Sequence, residues 1–90
     1  MNPATARHQT SNQDLEIQRQ AYNAAFNELD LSWFWDANTH RSLLDRSDER
    51  EQIRVYIETR QAHLLMAYDA DFLVNAIHAT KRRRIESMSP

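Results

Sequence analysis

The chain has 90 residues, of which 41% are hydrophobic and 27% charged, with a net charge of −2; this length and composition fit one ordinary globular core and exclude a disordered chain. It contains no glycine and no cysteine, which excludes disulfides and thiolate chemistry and argues against glycine-dependent hairpins and phosphate loops. The two prolines are Pro3 and Pro90, so nothing between them interrupts a helix. We therefore expect an all-α fold.

Membrane attachment is not expected from the apolar pattern. The first dozen residues are polar, and the longest apolar run covers only residues 64–68, far below the roughly 20 residues of a membrane span. We expect a cytoplasmic protein without contact to a membrane.

The first helix is predicted over residues 14–29, where Leu15, Tyr22 and Phe26 fall at helical spacing on one face. Residues 1–12 show no periodicity and are predicted to form a flexible tail.

Two further helices carry start signals. Asp36 occupies the position of an N-cap before a short helix, and Asp48 with Glu51 has the spacing of a capping box. The helix after Asp48 is predicted to run to about His63.

The last helix is predicted to start at Asp69 or Asp71 and to bury Phe72, Leu73 and Ile77. Short connections between four helices predict an antiparallel four-helix bundle. This places one domain at 13–85 and a short tail at 86–90.

The pair Asp69 and Asp71 has a second interpretation, because an Asp-x-Asp pair after an apolar strand can supply a nucleophile and an acid in phosphoryl transfer. Phe72 follows where such a loop needs glycine. Helix capping is therefore the favoured interpretation.

A metal site is not expected. The four histidines are His8, His40, His63 and His78, and no two have the i, i+4 spacing that places a pair on one helical face. We predict neither a metal nor a cofactor.

The aromatic run Trp33, Phe34 and Trp35 could stack a planar ligand, but such a cluster at a helix corner more often supplies core area.

Four consecutive cations at the end of the last helix form a candidate basic patch: Lys81, Arg82, Arg83 and Arg84. Solvation and capping of the helix end are favoured over nucleic-acid binding, because no aromatic residue or glycine is interleaved with them.

Several strings resemble the helical cap of the haloacid dehalogenase superfamily, as found in sugar-phosphate phosphatases and β-phosphoglucomutase-like members. They are Ala21-Tyr-Asn-Ala-Ala-Phe26, Leu31-Ser-Trp-Phe-Trp-Asp36, Leu43-Leu44, and the segment from Phe72 to Arg82 that contains His-Ala-Thr-Lys. The resemblance covers residues 14–84 and implies a cap-like helical domain.

The catalytic motif of that superfamily is not found in these 90 residues. Its Asp-x-Asp-Gly-Thr loop would lie just before Asp14, where residues 7–13 read Arg-His-Gln-Thr-Ser-Asn-Gln. The resemblance therefore implies a cap without the nucleophile and metal ligands, and we expect no enzymatic activity.

The family's specificity loop often reads Gly-Gly-Lys-Glu-Arg-Ile, and residues 48–53 here read Asp-Glu-Arg-Glu-Gln-Ile. The candidate ligand-binding residues are Arg50, Gln52 and Arg54. Two carboxylates in place of the glycines would repel an anionic substrate.

From this pattern we expect a non-catalytic protein that associates with itself, as a homodimer, or with an unidentified protein. The candidate interface residues are Trp33, Phe34, Trp35, Tyr56 and Tyr68. The alternative is a remnant cap that binds a small phosphorylated molecule or complements a separate catalytic chain.

Overall fold

Helices make up most of the computed structural model, which describes residues 12–46 and 48–88. These residues contain four α-helices: α1 (Asn12–Glu28), α2 (Ala37–Leu43), α3 (Glu49–Arg60) and α4 (Ala70–Met88). A 3-10 helix, Ala62–Met66, lies between α3 and α4. No strand occurs in these described residues. The predicted all-α helical bundle is confirmed.

Three aspartates cap the later helices. Asp36 and Asp48 do so at the predicted positions, and of the two candidates for the last helix, Asp69 and Asp71, the capping residue is Asp69. Their carboxylates accept backbone N–H groups three residues ahead: Asp36 from Thr39 at 2.8 Å, Asp48 from Glu51 at 2.8 Å, and Asp69 from Phe72 at 3.2 Å. These bonds satisfy donors that have no partner inside the helix.

The end of α1 is closed by a left-handed residue that is not glycine. Asp30 has φ of 61°, and the N–H groups of Asp30 and Leu31 donate to the carbonyls of Asn27 at 3.1 Å and Phe26 at 2.8 Å. This pair of bonds is a Schellman motif. Aspartate is among the few side chains that tolerate this backbone region, in a chain without glycine.

Two helix boundaries differ from the prediction. α3 ends at Arg60 and not near His63, because Gln61 leaves helical geometry at φ −136° and ψ 32°. The following 3-10 helix brings Leu64 and Leu65 against the core. Near the C-terminus, α4 continues through Met88, beyond the predicted domain boundary at residue 85. Residues 1–11 of the predicted N-terminal tail lie outside the described residues.

Trp35 is the centre of the core. Its indole is fully buried, and ring centroids of Tyr22, Phe26 and Tyr56 lie 4.5, 5.2 and 5.2 Å from it. Trp35 and Tyr56 were candidate interface residues, and that prediction is wrong for both, because their rings are enclosed by the other aromatic groups of the bundle.

The backbone at Trp35 is tied to α1 by side chains. Its N–H donates to Oδ1 of Asn23 at 2.8 Å, and its carbonyl accepts from Nδ2 of Asn23 at 3.0 Å and from Arg19 at 3.1 Å. Side chains of α1 thus satisfy the backbone N–H and carbonyl of Trp35, and its ring faces inward.

α3 and α4 pack antiparallel to each other. Arg54 in the middle of α3 pairs with Asp71 at the start of α4, whereas Glu49 at the start of α3 pairs with Lys81 further along α4.

Candidate functional site

A groove of about 550 Å³ opens beside the first turns of α3. Its lining residues are Asp48, Glu49, Arg50, Glu51 and Arg54 of the α3 region, with His78 of α4. We call this cavity the outer groove.

Two of the three predicted ligand-binding residues, Arg50 and Arg54, line the outer groove. Gln52 does not. Its side chain is buried and its Oε1 lies 3.5 Å from the hydroxyl of Tyr22. Residues two apart on a helix do not share a face, so the prediction that Gln52 joins the two arginines at one ligand site is wrong.

Groups of both charges line the outer groove. Three acidic residues stand beside two arginines and one histidine. Arg54 forms an ion pair with Asp71, and this hydrogen bond raises the pKa of the guanidinium. A phosphorylated ligand therefore meets a groove in which carboxylates compete for the same cations.

Lys81 does not belong to an exposed basic patch, although the sequence predicts it there. Its side chain is 3% exposed, and its Nζ donates to Oε2 of Glu49 at 2.8 Å and to Oε1 of Gln18. The same Nζ lies 5.0 Å from the centroid of the Tyr22 ring, in cation–π geometry. Lys81 is a buried cation because it lies on the stripe of α4 that faces the core.

The remaining cations of the patch are exposed. Arg83 donates to Glu28 at 2.8 Å, and Arg84 lies 3.8 Å from the same carboxylate. The hydrogen bond between Arg83 and Glu28 lowers the pKa of Glu28 and raises that of Arg83. Three of the four predicted residues, Arg82, Arg83 and Arg84, are therefore exposed.

His40 is a buried imidazole in α2. It is 4% exposed and lies 5.7 Å from the Tyr22 ring and 6.0 Å from the Trp35 ring. Burial lowers its pKa, and the positive charges of Lys81 and Arg19 lower it further, while Glu49 and Glu16 act in the opposite direction.

The chain is expected to lose stability as the pH falls below about 6.5, the ordinary pKa of histidine. Because the pKa of His40 is depressed in the folded chain, the unfolded chain binds more protons in this range, so the stabilising contribution is complete above pH 6.5 and declines below it. Urea unfolding between pH 7.5 and pH 5.5 measures this slope. The free energy of unfolding of the variant His40→Gln should depend less on pH. If its pH dependence equals that of the wild type, groups other than His40 cause the loss of stability.

Three large apolar side chains lie exposed near the junction of the 3-10 helix and α4: Met66 at 92%, Tyr68 at 50% and Phe72 at 60% exposure. The rings of Tyr68 and Phe72 stack with centroids 6.4 Å apart and an interplanar angle of 14°. We call these three residues the apolar surface. Phe72 was expected to face the core, but it lies beside the buried stripe that starts at Leu73.

The other predicted interface residues fall into two groups. Tyr68 belongs to the apolar surface, whereas Trp33 is half-buried and packs edge-on against Phe26 and Tyr56 at 5.2 and 5.3 Å. Phe34 is 67% exposed and stands apart from the core rings. The structure therefore does not join the five predicted residues into one surface.

Within residues 12–46 and 48–88, no group of three acidic residues or histidines is placed to hold a metal ion. In the same part of the chain, no helix has both the length and the apolar character that crossing a membrane requires.

Comparison with known proteins gives a partial match that is consistent with a relationship to the haloacid dehalogenase superfamily. The relative is Protein CbbY (plasmid) of Cupriavidus necator, with 33% identity over 64 residues, which is 71% of this chain and 25% of that protein. The chain thus spans about a quarter of the length of this relative. No family model and no solved structure matches the chain.

Proposed function

We propose that this chain acts by associating with another polypeptide, first of all a second copy of itself, and that it performs no chemistry alone. The apolar surface carries the proposal. Its three side chains are at least half exposed, and two of them stack on each other. Exposed apolar groups that stand together mark interaction sites far more often than single ones do.

The chemistry of the outer groove supports association over ligand turnover. Its arginines and histidine stand among three carboxylates, and Arg54 and His78 already have acidic partners. A nucleophile activated by a neighbouring base, or a metal centre, is what a phosphatase needs. In the described residues, no group of three acidic residues or histidines is placed to hold such a metal.

The surroundings of the apolar surface favour contact through apolar burial. Asp69 is engaged in capping α4, and Asp71 is paired with Arg54. Since these charges are already satisfied, we expect association that depends only weakly on salt. Full burial of a phenylalanine side chain contributes about 1.5–3 kcal/mol, and about 1.4 kcal/mol corresponds to a tenfold change in affinity.

The variant Phe72→Ser is therefore expected to weaken association about tenfold or more. Light scattering coupled to size exclusion, over a series of protein concentrations, should show the wild-type mass rising from that of one 10.7 kDa chain toward twice that value. The variant should remain at the lower mass over the same series.

Phe34→Ser is the matched control, because Phe34 is 67% exposed but lies outside the apolar surface. It should associate like the wild type. A wild-type chain that keeps the mass of one chain at every concentration contradicts self-association. Equal weakening by both variants would contradict the assignment of the apolar surface.

A second candidate is a cap that binds a phosphorylated small molecule or complements a separate phosphatase chain. The similarity to CbbY favours it, because the chain matches one part of that protein, about a quarter of its length, as a single domain of a larger protein would. An amide NMR titration with sugar phosphates and Mg²⁺ tests it. Localised shifts at Arg50 and Arg54 would support this candidate, and a spectrum without shifts would contradict it for those ligands.

A further inference from the structure

We propose that the carboxylate of Glu49 occupies an oxyanion site between α3 and α4, and that a free carboxylate or phosphate binds there once this side chain is removed. In the intact chain Glu49 keeps such ligands out. The site does not include the residues of the apolar surface and does not depend on the proposed association: Met66, Tyr68 and Phe72 are not among the residues that line it.

The contacts of Glu49 are those of a bound anion. Its Oε2 accepts from Nζ of Lys81 at 2.8 Å, and its Oε1 lies 3.3 Å from Nε2 of His78. Both partners come from α4, three residues apart, and therefore share one face of that helix. One carboxylate from α3 thus bridges two nitrogen groups of α4.

Lys81 makes an anion at this position necessary. Its side chain is 3% exposed, and a buried ammonium without a counter-charge is strongly destabilising. The carboxamide of Gln18 and the face of the Tyr22 ring also contact Nζ, but neither carries a negative charge. Glu49 is the carboxylate bonded to this ammonium.

Glu49 also lines two cavities. It lines the outer groove and also an inner cavity of about 240 Å³. The inner cavity has both polar and apolar walls, formed by Leu15, Gln18, Tyr22, His40, Leu44, Glu49 and Gln52. Truncation of Glu49 removes a shared wall, so that a small oxyanion can reach Lys81 from the outer groove.

The test is thermal unfolding of Glu49→Ala with added sodium phosphate, sodium acetate or sodium chloride at equal ionic strength. Phosphate and acetate should raise the midpoint in a saturable way, and chloride should not. At ten times its dissociation constant, a bound anion raises the folded-to-unfolded ratio about 11-fold. If Glu49→Ala is unfolded in dilute buffer, the helical circular dichroism signal should return with phosphate or acetate.

Glu51→Ala is the control for the general stabilising effect of phosphate on proteins, because Glu51 lines the same outer groove and is exposed. It should respond no more than the wild type. Glu49→Gln, which keeps the volume of the side chain, should exclude the anion and respond weakly. A response of Glu49→Ala equal to that of Glu51→Ala, or no response to either oxyanion, would overturn the proposal.

Discussion

Replacing Trp35 with alanine is expected to lower the free energy of unfolding by about 3–5 kcal/mol, the usual cost of removing a large aromatic side chain from a core. Trp35 is fully buried and contacts the rings of Tyr22, Phe26 and Tyr56. The total stability of a domain of this size is about 5–13 kcal/mol. Trp35→Ala should therefore remove between about a quarter and all of this stability.

Urea unfolding followed by far-UV circular dichroism measures the effect, since tryptophan fluorescence changes with the substitution itself. Phe34→Ala is the control: Phe34 precedes Trp35 in the chain but is 67% exposed, and its substitution should change stability by less than about 0.5 kcal/mol. Similar losses for the two variants would contradict the assignment of Trp35 as the centre of the core.

Trp35→Phe should cost less than Trp35→Ala for two reasons. The phenyl ring keeps most of the packing area, and the substitution removes an indole N–H that is buried without a hydrogen-bond partner in the described part of the chain. An unpaired buried donor is itself unfavourable. The order of stability should thus be wild type, Trp35→Phe, Trp35→Ala.

The helix starts could be predicted from the sequence because their physics is local. Asp36, Asp48 and Asp69 each accept a hydrogen bond from a residue three positions ahead. Such a contact depends on a short stretch of chain, and the residue types that make it are few. The all-α class followed in the same way from the lack of glycine and internal proline.

The inward direction of Trp35 could not be predicted, because it is set by contacts distant in sequence. Trp33, Phe34 and Trp35 are adjacent and all large and apolar, yet they end half-buried, exposed and fully buried. The backbone of Trp35 is held by Asn23, twelve positions earlier. Nothing in a single sequence marks Asn23 as that partner.

The run of four cations indicates an exposed patch, whereas the helical position of Lys81 indicates burial. It stands four residues after Ile77 and eight after Leu73, on the same helical stripe, so its burial could be expected from spacing. Its counter-ion could not, since Glu49 lies 32 positions away. The contact between Glu49 and Lys81 depends on the packing of α3 against α4, which the sequence does not show.

Removing Glu49 alone is expected to be more damaging than removing both charges. Glu49→Ala leaves the ammonium of Lys81 buried without its carboxylate, which should cost about 3 kcal/mol, the lower end for a broken buried pair because Glu49 itself is 38% exposed. Lys81→Met leaves Glu49 with access to water and with His78, and should cost about 1 kcal/mol or less.

In the double variant Glu49→Ala, Lys81→Met no buried charge remains, so its stability should lie close to that of Lys81→Met and well above that of Glu49→Ala. Urea unfolding of the wild type and the three variants gives the coupling energy directly. The exposed pair Glu28 and Arg83, with side chains 34% and 61% exposed, should show a much smaller coupling that disappears in high salt. Additive losses at Glu49 and Lys81 would instead mean that water already compensates the ammonium, and that the cleft between α3 and α4 is more open than its buried lysine implies.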